Sequence, residues 1–264
     1  MLIRQAHSSD KLKALEFCKD TFSWGDYVQY TWNSWIKEGR LLVIEDSDEI
    51  LGFCHSVFFP SYNFSWIEGI RIRPRYRRRG LATTLIKTME EYTMKKGGQS
   101  CFMLIDDSNH SSASLVSKLS YSKIGTWTFY KLYTRPNSST GVFYIKNSQD
   151  LSKKIMEKNF FVKSWRWFPL NQTPINDLIE KQQLLGTNAG DSLAVLQKSE
   201  HFEKTMLVTI ISESKASTKK ILDYIQNFGF QNDYERIQVL SKSNLPRISS
   251  LEPKNNFSLF EKIL

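Results

Sequence analysis

Trp66-Ile-Glu-Gly-Ile-Arg-Ile-Arg-Pro-Arg-Tyr-Arg-Arg-Arg-Gly-Leu-Ala-Thr-Thr84 is the stretch that decides the fold. It reads as a strand, a sharp arginine-rich turn and the start of a helix. Residues 65–72 are rich in aromatic and β-branched types, with Ile70 and Ile72 on one face. Pro74 cannot donate to a sheet ladder, so the strand ends there. From Leu81 the period changes: Leu81, Leu85, Ile86, Met89 and Tyr92 recur at helical spacing. A helix entered this way leaves its first N–H groups unpaired and pointing into the turn. The helix dipole adds partial positive charge there, which makes an anion site with phosphate as its usual guest. Gly80 lets the backbone approach a ligand closely, and Arg77, Arg78 and Arg79 add fixed positive charge.

Composition narrows the class. The chain has 264 residues, 41% hydrophobic and 24% charged, enough for one large or two small domains. No apolar run is long enough to cross a bilayer, and the N-terminal stretch lacks the apolar core of a signal peptide. Cys18, Cys54 and Cys101 stand far apart without metal-ligand spacing and read as buried thiols of a reducing compartment. A cytoplasmic protein without metal and without a membrane partner is expected. The net charge of +9 could signal a nucleic-acid partner. Its densest cluster, however, is Arg71 to Arg79, inside the proposed anion turn, so nucleic acid is not the expected partner.

The turn resembles the GNAT superfamily of acetyl-coenzyme A-dependent N-acetyltransferases. Their signature R/Q-x-x-G-x-G/A is matched by Arg77, Gly80 and Ala82, and the approach V-x-P-x-Y-R by Ile72, Pro74, Tyr76 and Arg77. The resemblance implies an α+β fold with a mixed, mostly antiparallel sheet flanked by helices. It also implies acetyl-CoA as cosubstrate. The pyrophosphate would rest on the N–H groups of Arg78 to Thr83, beside Arg77, with Gly80, Leu81 and Ala82 in the turn. The pantetheine arm would pair with the strand edge at Ile70, Arg71 and Ile72. Asn109 and Ser112 would reach the cofactor from the next strand end. The segment 66–82 is also similar to histidine N-acetyltransferases, through Glu68, Gly69, Arg71 and Pro74. That likeness hints at a free amino acid or small amine as acceptor.

The remaining elements follow in the family's order. Leu2 to Gln5 reads as a strand. Ser8 or Ser9 caps a helix carrying Leu12, Leu15 and Phe17 inward. A second helix runs from about Tyr27 to Lys37 with Val28, Trp32, Trp35 and Ile36 on its apolar side. By resemblance, Trp24 and Tyr27 wall the acceptor pocket; an aromatic core is the other reading of both. Residues 40–45 and 50–59 form a hairpin, and residues 100–105 a short buried strand after a helix closed at Gly97. Asn109 to Tyr121 resembles the family's second motif, with Ser120 where glycine is usual. The spacing predicts a first domain over 1–136, a linker near 135–140 and a second domain over 141–264.

That second half reads as a degenerate copy, so the chain reads as a tandem pair. Strand 142–145, helices 148–158 and 174–185, hairpin 192–197 with 204–211, helix 217–228 closed by Gly229, and strands 235–240 and 256–264 repeat the first order. Between Ile211 and Lys219 there is no glycine and no arginine cluster, so no pyrophosphate cradle is expected.

In the resembling family the acceptor amine attacks the thioester directly, and only the neutral amine is a nucleophile. Glu68 is the candidate base; a surface ion pair is its other reading. Cys54, His55 and His110 are weaker proton-handling candidates. The general acid is usually a tyrosine at a place that here falls on Val116, which leaves Tyr62, Tyr121, Tyr130 or water. Expected partners are a small-molecule or peptide amine, with the protein a monomer or homodimer. Two other classes compete: a module that binds the cofactor without turnover, and a nucleic-acid binder using Arg71 to Arg79.

Overall fold

The computed structural model describes residues 1–19, 21, 25–151, 159–200 and 202–264. The chain forms two compact units, Met1–Ile124 with Leu259–Leu264, and Gly125–Ser258.

The first unit begins with β1 (Leu2–Gln5), α1 (Lys11–Leu15) and α2 (Val28–Glu38). Then come β2 (Arg40–Asp46), β3 (Glu49–Phe59) and β4 (Phe64–Ile72). The helix α3 (Leu81–Lys95), β5 (Ser100–Asp106) and α4 (His110–Lys118) complete it. The strands β1 to β4 pair antiparallel in order, and β5 joins β4 in parallel. A parallel neighbour requires a crossover, which α3 supplies. Alternation along β2 sorts its side chains between two cores. Leu42 and Ile44 join Leu85, Ile86 and Met89 of α3, whereas Leu41 and Val43 join Val28, Trp32 and Trp35 of α2.

The last residues of the chain also sit in this unit. Phe260 and Leu264 pack into the core beneath α3, and the Leu264 amide donates to the Gln99 carbonyl at 2.9 Å. Lys262 Nζ donates to Glu90 Oε2 of α3 at 2.6 Å, where the glutamate side chain is only 7% exposed.

The second unit repeats this plan. Its strands are β6 (Ser122–Leu132), β7 (Val142–Tyr144), β8 (Phe160–Lys163), β9 (Arg166–Pro169), β10 (Leu184–Thr187), β11 (Ser192–Lys198) and β12 (Thr205–Ser212). β13 (Arg236–Ser241) and β14 (Leu251–Ile263) follow; β6 up to Ile124 and β14 from Leu259 belong to the first unit. Its helices are α5 (Gln172–Glu180) and α6 (Lys215–Gln231). β7, β10, β11 and β12 pair antiparallel in that order, and β13 joins β12 in parallel. This is the succession of β1 to β5, with α6 in the place of α3.

Several expectations are corrected. Leu12 is 78% exposed rather than inward, because α1 is only five residues long. The helix expected over 174–185 ends at Glu180, and Leu184 to Thr187 is a strand paired with β11. Gly229 lies inside α6 rather than closing it; a Cβ there would press on Ile237 and Thr134, so close packing explains the glycine. Most of the helix expected over 148–158 lies outside the described residues. The hairpin β8–β9 was not foreseen.

Removing the Lys262 amine leaves a buried carboxylate alone. Lys262→Ala should therefore destabilise the protein by about 3 kcal/mol, read as a lower urea midpoint with unchanged slope. A midpoint equal to that of the wild type would show that the pair contributes nothing.

Candidate active site

The site grows from an irregularity in β4. Gly69 has φ +66°, and the β3–β4 register shifts between Phe53/Arg71 and His55/Glu68. A glycine in the left-handed region is the usual seat of such a bulge. The extra residue changes which face the later side chains take. Ile67, Ile70 and Ile72 all pack with the α3 core. Trp66 and Glu68, joined by a hydrogen bond, share the other face, and beyond the bulge Arg71, which reaches Asp26 ahead of α2, faces the same side. Gly69 is needed for space as well, since a Cβ there would run into the Trp35 ring.

The bulge coincides with an opening between strands. β4 pairs with β5 only through Phe64/Ser100, Ser65/Cys101 and Trp66/Phe102, yet β4 runs on to Ile72 and β5 to Asp106. The strand edge at Ile70, Arg71 and Ile72 therefore lies beyond the last paired residues of that ladder.

The turn that follows ends in an open helix terminus. Arg78 has φ +61° and Gly80 φ +80°, and no side chain caps α3. Around Gly80 there is open space, so its glycine answers the backbone angle and not crowding. The arginines of the turn divide into two sets. Arg71 grips Asp26 through two nitrogens at 2.7 and 3.1 Å and lies 5.5 Å from the Tyr27 ring centre. Arg73 meets Glu16 and Glu49, and Arg75 also pairs with Glu49. Arg77, Arg78 and Arg79 are exposed and make no ion pair among the described residues. Unpaired guanidinium groups at an uncapped helix N-terminus fit a pyrophosphate. With the opened strand edge, they fit a cofactor that joins a pyrophosphate to an extended arm.

Leu81 is buried beneath the turn, while Ala82 and Thr83 are half-buried at its first helical positions. Asn109 caps α4, its Oδ1 accepting the Ser112 amide at 3.1 Å, so these two expected cofactor residues are joined to each other. Tyr27 stands edge-on to Trp35 at 6.0 Å, and burial pushes its hydroxyl up. Its contacts with Arg71 and Trp35 place it beside the face that bears Glu68. Trp24 lies outside the described residues.

Glu68 is not a plain surface ion pair. Its side chain is 19% exposed. Oε1 lies 3.0 Å from His55 Nδ1, and Oε2 accepts the Trp66 indole N–H at 3.0 Å. His55 is fully buried and stacks on Trp35 at 4.7 Å. Cys54 is ruled out as a neutral-pH base, because burial pushes its thiol far up; Cys101 is pushed up to about 11 the same way. The candidate acids fare poorly too. Val116 and Tyr121 are buried in the core, Tyr62 lies ahead of the first residue of β4, and Tyr130 belongs to the core of the second unit.

The second unit lacks each of these features. β12 and β13 stay paired over six positions, Thr205/Arg236 to Ile210/Ser241, without a register shift. The N-terminus of α6 is capped by Ser214, which accepts the Ser217 amide at 3.3 Å. Ser217 also holds the nearby Asp191 carboxyl below its usual range, so negative charge already sits at that end.

Among the described residues no helix is long and apolar enough to cross a membrane, and no group of three or more His, Cys, Asp or Glu gathers to hold a metal.

Comparison with known proteins places these features. Residues 9–121 match the model of the acetyltransferase (GNAT) family. None of the curated proteins compared with the chain matches it. Among solved structures, a Thermoplasma acidophilum protein described as a candidate acetyltransferase is similar over 100% of both chains, at 15% identity and TM-score 0.64. A GCN5-related N-acetyltransferase of Sphaerobacter thermophilus matches 99% of this chain and 95% of its own, at 12% identity and TM-score 0.63. A tandem GNAT protein of the clavulanic acid biosynthesis pathway matches 99% and 98%, at 10% identity and TM-score 0.58. At such identities the likeness establishes the fold, tandem arrangement included.

The two glycines make separable demands. Gly80→Ala should cost about 1 kcal/mol, the strain of the angle alone. Gly69→Ala adds the collision with Trp35 and should cost about 3 kcal/mol or more. Chemical denaturation of both variants checks the order; equal losses would contradict it.

Proposed function

The chain carries, at residues 9–121, a domain of the acetyltransferase (GNAT) family, whose chemistry is acetyl-CoA-dependent N-acetylation; from that premise we propose that it moves the acetyl group of acetyl-CoA directly to a primary amine of a small molecule, amino acid or peptide. The observation that carries the proposal is the conjunction of an uncapped α3, three arginines outside any ion pair among the described residues, and a strand edge that runs on past the last β4–β5 pair at the Gly69 bulge. Arg77, Arg78, Arg79 and the amides from Arg78 to Thr83 would hold the pyrophosphate. The edge at Ile70 to Ile72 would take the pantetheine arm, with an amide there polarising the thioester carbonyl. Asn109 and Ser112 would border the cofactor from the α4 side.

Glu68 is assigned the base. It is half-buried on the face toward α2, beside Tyr27, and two donors hold its carboxylate oriented. An ionised carboxylate there attracts the ammonium form of the acceptor and takes its proton directly or through water. Holding amine and thioester together supplies much of the rate enhancement. No tyrosine is assigned as acid; the thiolate takes its proton from water.

We assign residues 1–136 the catalytic role, and 141–264 the role of a degenerate copy that does not bind the cofactor. The local likeness to histidine N-acetyltransferases receives no support from the comparisons, so the acceptor stays a primary amine of open identity. A cytoplasmic location fits the three buried, unpaired cysteines. The competing reading, cofactor binding without turnover, is favoured by the buried Val116 in the usual place of the acid.

Thiol release from acetyl-CoA, measured across free amino acids, polyamines and peptide N-termini, separates the readings; binding without release from any amine selects the second. Glu68→Gln should lower kcat about 100-fold, with KM for acetyl-CoA unchanged. Replacing Arg78 and Arg79 by Ala should raise the Kd for acetyl-CoA about tenfold and weaken its salt dependence. Calorimetric titration should saturate at one acetyl-CoA per chain; two would overturn the sealed second copy.

A further inference from the structure

The proposed base has a buried partner that the family chemistry does not call for. His55 sits on β3 directly opposite Glu68 in the ladder, is 0% exposed, and is sandwiched against Trp35 with the rings 7° from parallel. Its Nδ1 is 3.0 Å from Glu68 Oε1, while its Nε2 is buried with no hydrogen-bond partner among the described residues. A carboxylate can only accept, so Nδ1 must carry the proton. With Nδ1 protonated, Nε2 of the neutral ring is a bare acceptor, the cheaper group to leave unpaired. A half-turn of the ring would keep its plane on Trp35 but put Cδ2 in the place of Nδ1 and lose the bond to Glu68. Trp35 is itself fixed by its close fit against Gly69.

We propose that His55 is a positioning residue for the acetyl transfer: through its Nδ1–H it holds Glu68 as an oriented carboxylate facing the acceptor amine. This rests on the assignment of Glu68 as base. The indole of Trp66 donates to the second oxygen, so both oxygens of the carboxylate are held in orientation. The charged and titratable groups around this carboxylate are Cys54 and His55 on β3, Tyr27 ahead of α2, and Arg71 on β4, the last paired with Asp26. Cys54 and Tyr27 have burial pushing them up, so neither ionises across the neutral range. The two N–H donors touch the carboxylate oxygens themselves and favour the ionised form of Glu68, with the Arg71 charge, shared with Asp26, acting in the same direction.

The sign follows. Removing a donor to a carboxylate makes its charged form less favourable and moves its titration to higher pH. The test is carboxyl titration by carbon NMR of the full chain labelled at glutamate, with Glu68→Gln identifying the signal. His55→Leu should shift the Glu68 titration up by about one pH unit, and the acid limb of kcat should follow it. His55→Asn, whose amide can donate from a similar place, should restore most of both. In the unsubstituted protein, nitrogen NMR should find the His55 proton on Nδ1. A His55→Leu protein that is less stable but titrates like the wild type would overturn the proposal, as would a proton on Nε2. Should Glu68→Gln keep full activity while the titration shifts as expected, the base assignment fails and the His55–Glu68 coupling stands.

Discussion

One extra residue in β4 governs the first unit. A strand that alternated regularly through Gly69 would send Ile70 away from the face that Ile67 occupies, and the α3 core would lose Ile70 and Ile72. The bulge keeps the apolar residues under α3 and leaves Glu68 and Arg71 facing α2. It also sits just past the last β4–β5 pair, so the freed strand edge and the proposed base come from a single backbone departure. Trp35 locks this arrangement, because its ring fills the space that any Cβ at position 69 would need. The bulge is thus held by packing from α2 as well as by its own glycine.

Charge in the neighbouring turn is sorted rather than summed. The sequence shows a run of arginines between 71 and 79 and gives no hint of which are engaged. In the structure Arg71, Arg73 and Arg75 are pinned to Asp26, Glu16 and Glu49, and tie β4 and the turn to the segment ahead of α2, to the residues after α1 and to β3. Arg77, Arg78 and Arg79 are exposed at the uncapped helix and outside any ion pair among the described residues, Arg77 donating to the Ile72 carbonyl and Arg79 lying 5.3 Å from the Tyr76 ring centre. The first set braces the turn, and the second gives it an electrostatic purpose. Pairs as exposed as Arg75–Glu49 add little stability; their effect is to hold the turn in shape.

What could be read from the chain alone was whatever is encoded locally. A proline ends β4, a glycine opens α3, and period-3.6 leucines and isoleucines mark its buried face, each within a few residues. The strand order followed because a parallel neighbour needs a helical crossover. The misses have a common cause, which is that long-range contacts decide them. Leu184 to Thr187 is a strand because β11 lies beside it, although its residues also suit a helix. Gly229 sits mid-helix because Ile237 and Thr134 crowd it. That Leu259–Leu264 belongs with the first unit depends on contacts with Gln99 and Glu90, more than 150 positions earlier. The partnership of His55 with Glu68 could have been suspected from two strands paired as a hairpin, but its register is set by the turn at Phe59 and Phe64, from which the ladder runs unshifted to His55/Glu68, and the bounds of that turn are not legible in the sequence.

The two halves show why a shared architecture need not carry a shared site. Each has three antiparallel strand pairings followed by a parallel strand reached through one helix. In the first, the ladder ends after three pairs and the helix begins bare. In the second, the ladder runs through six pairs, and Ser214 accepts the Ser217 amide of the helix. Asp191, held ionised beside that cap, would repel a phosphate arriving there. A strand that keeps its neighbour has no edge to offer, and a capped helix end has fewer amides to spare. The two halves thus differ in two independent backbone features, the pairing of the strand and the cap of the helix, as well as in their arginines.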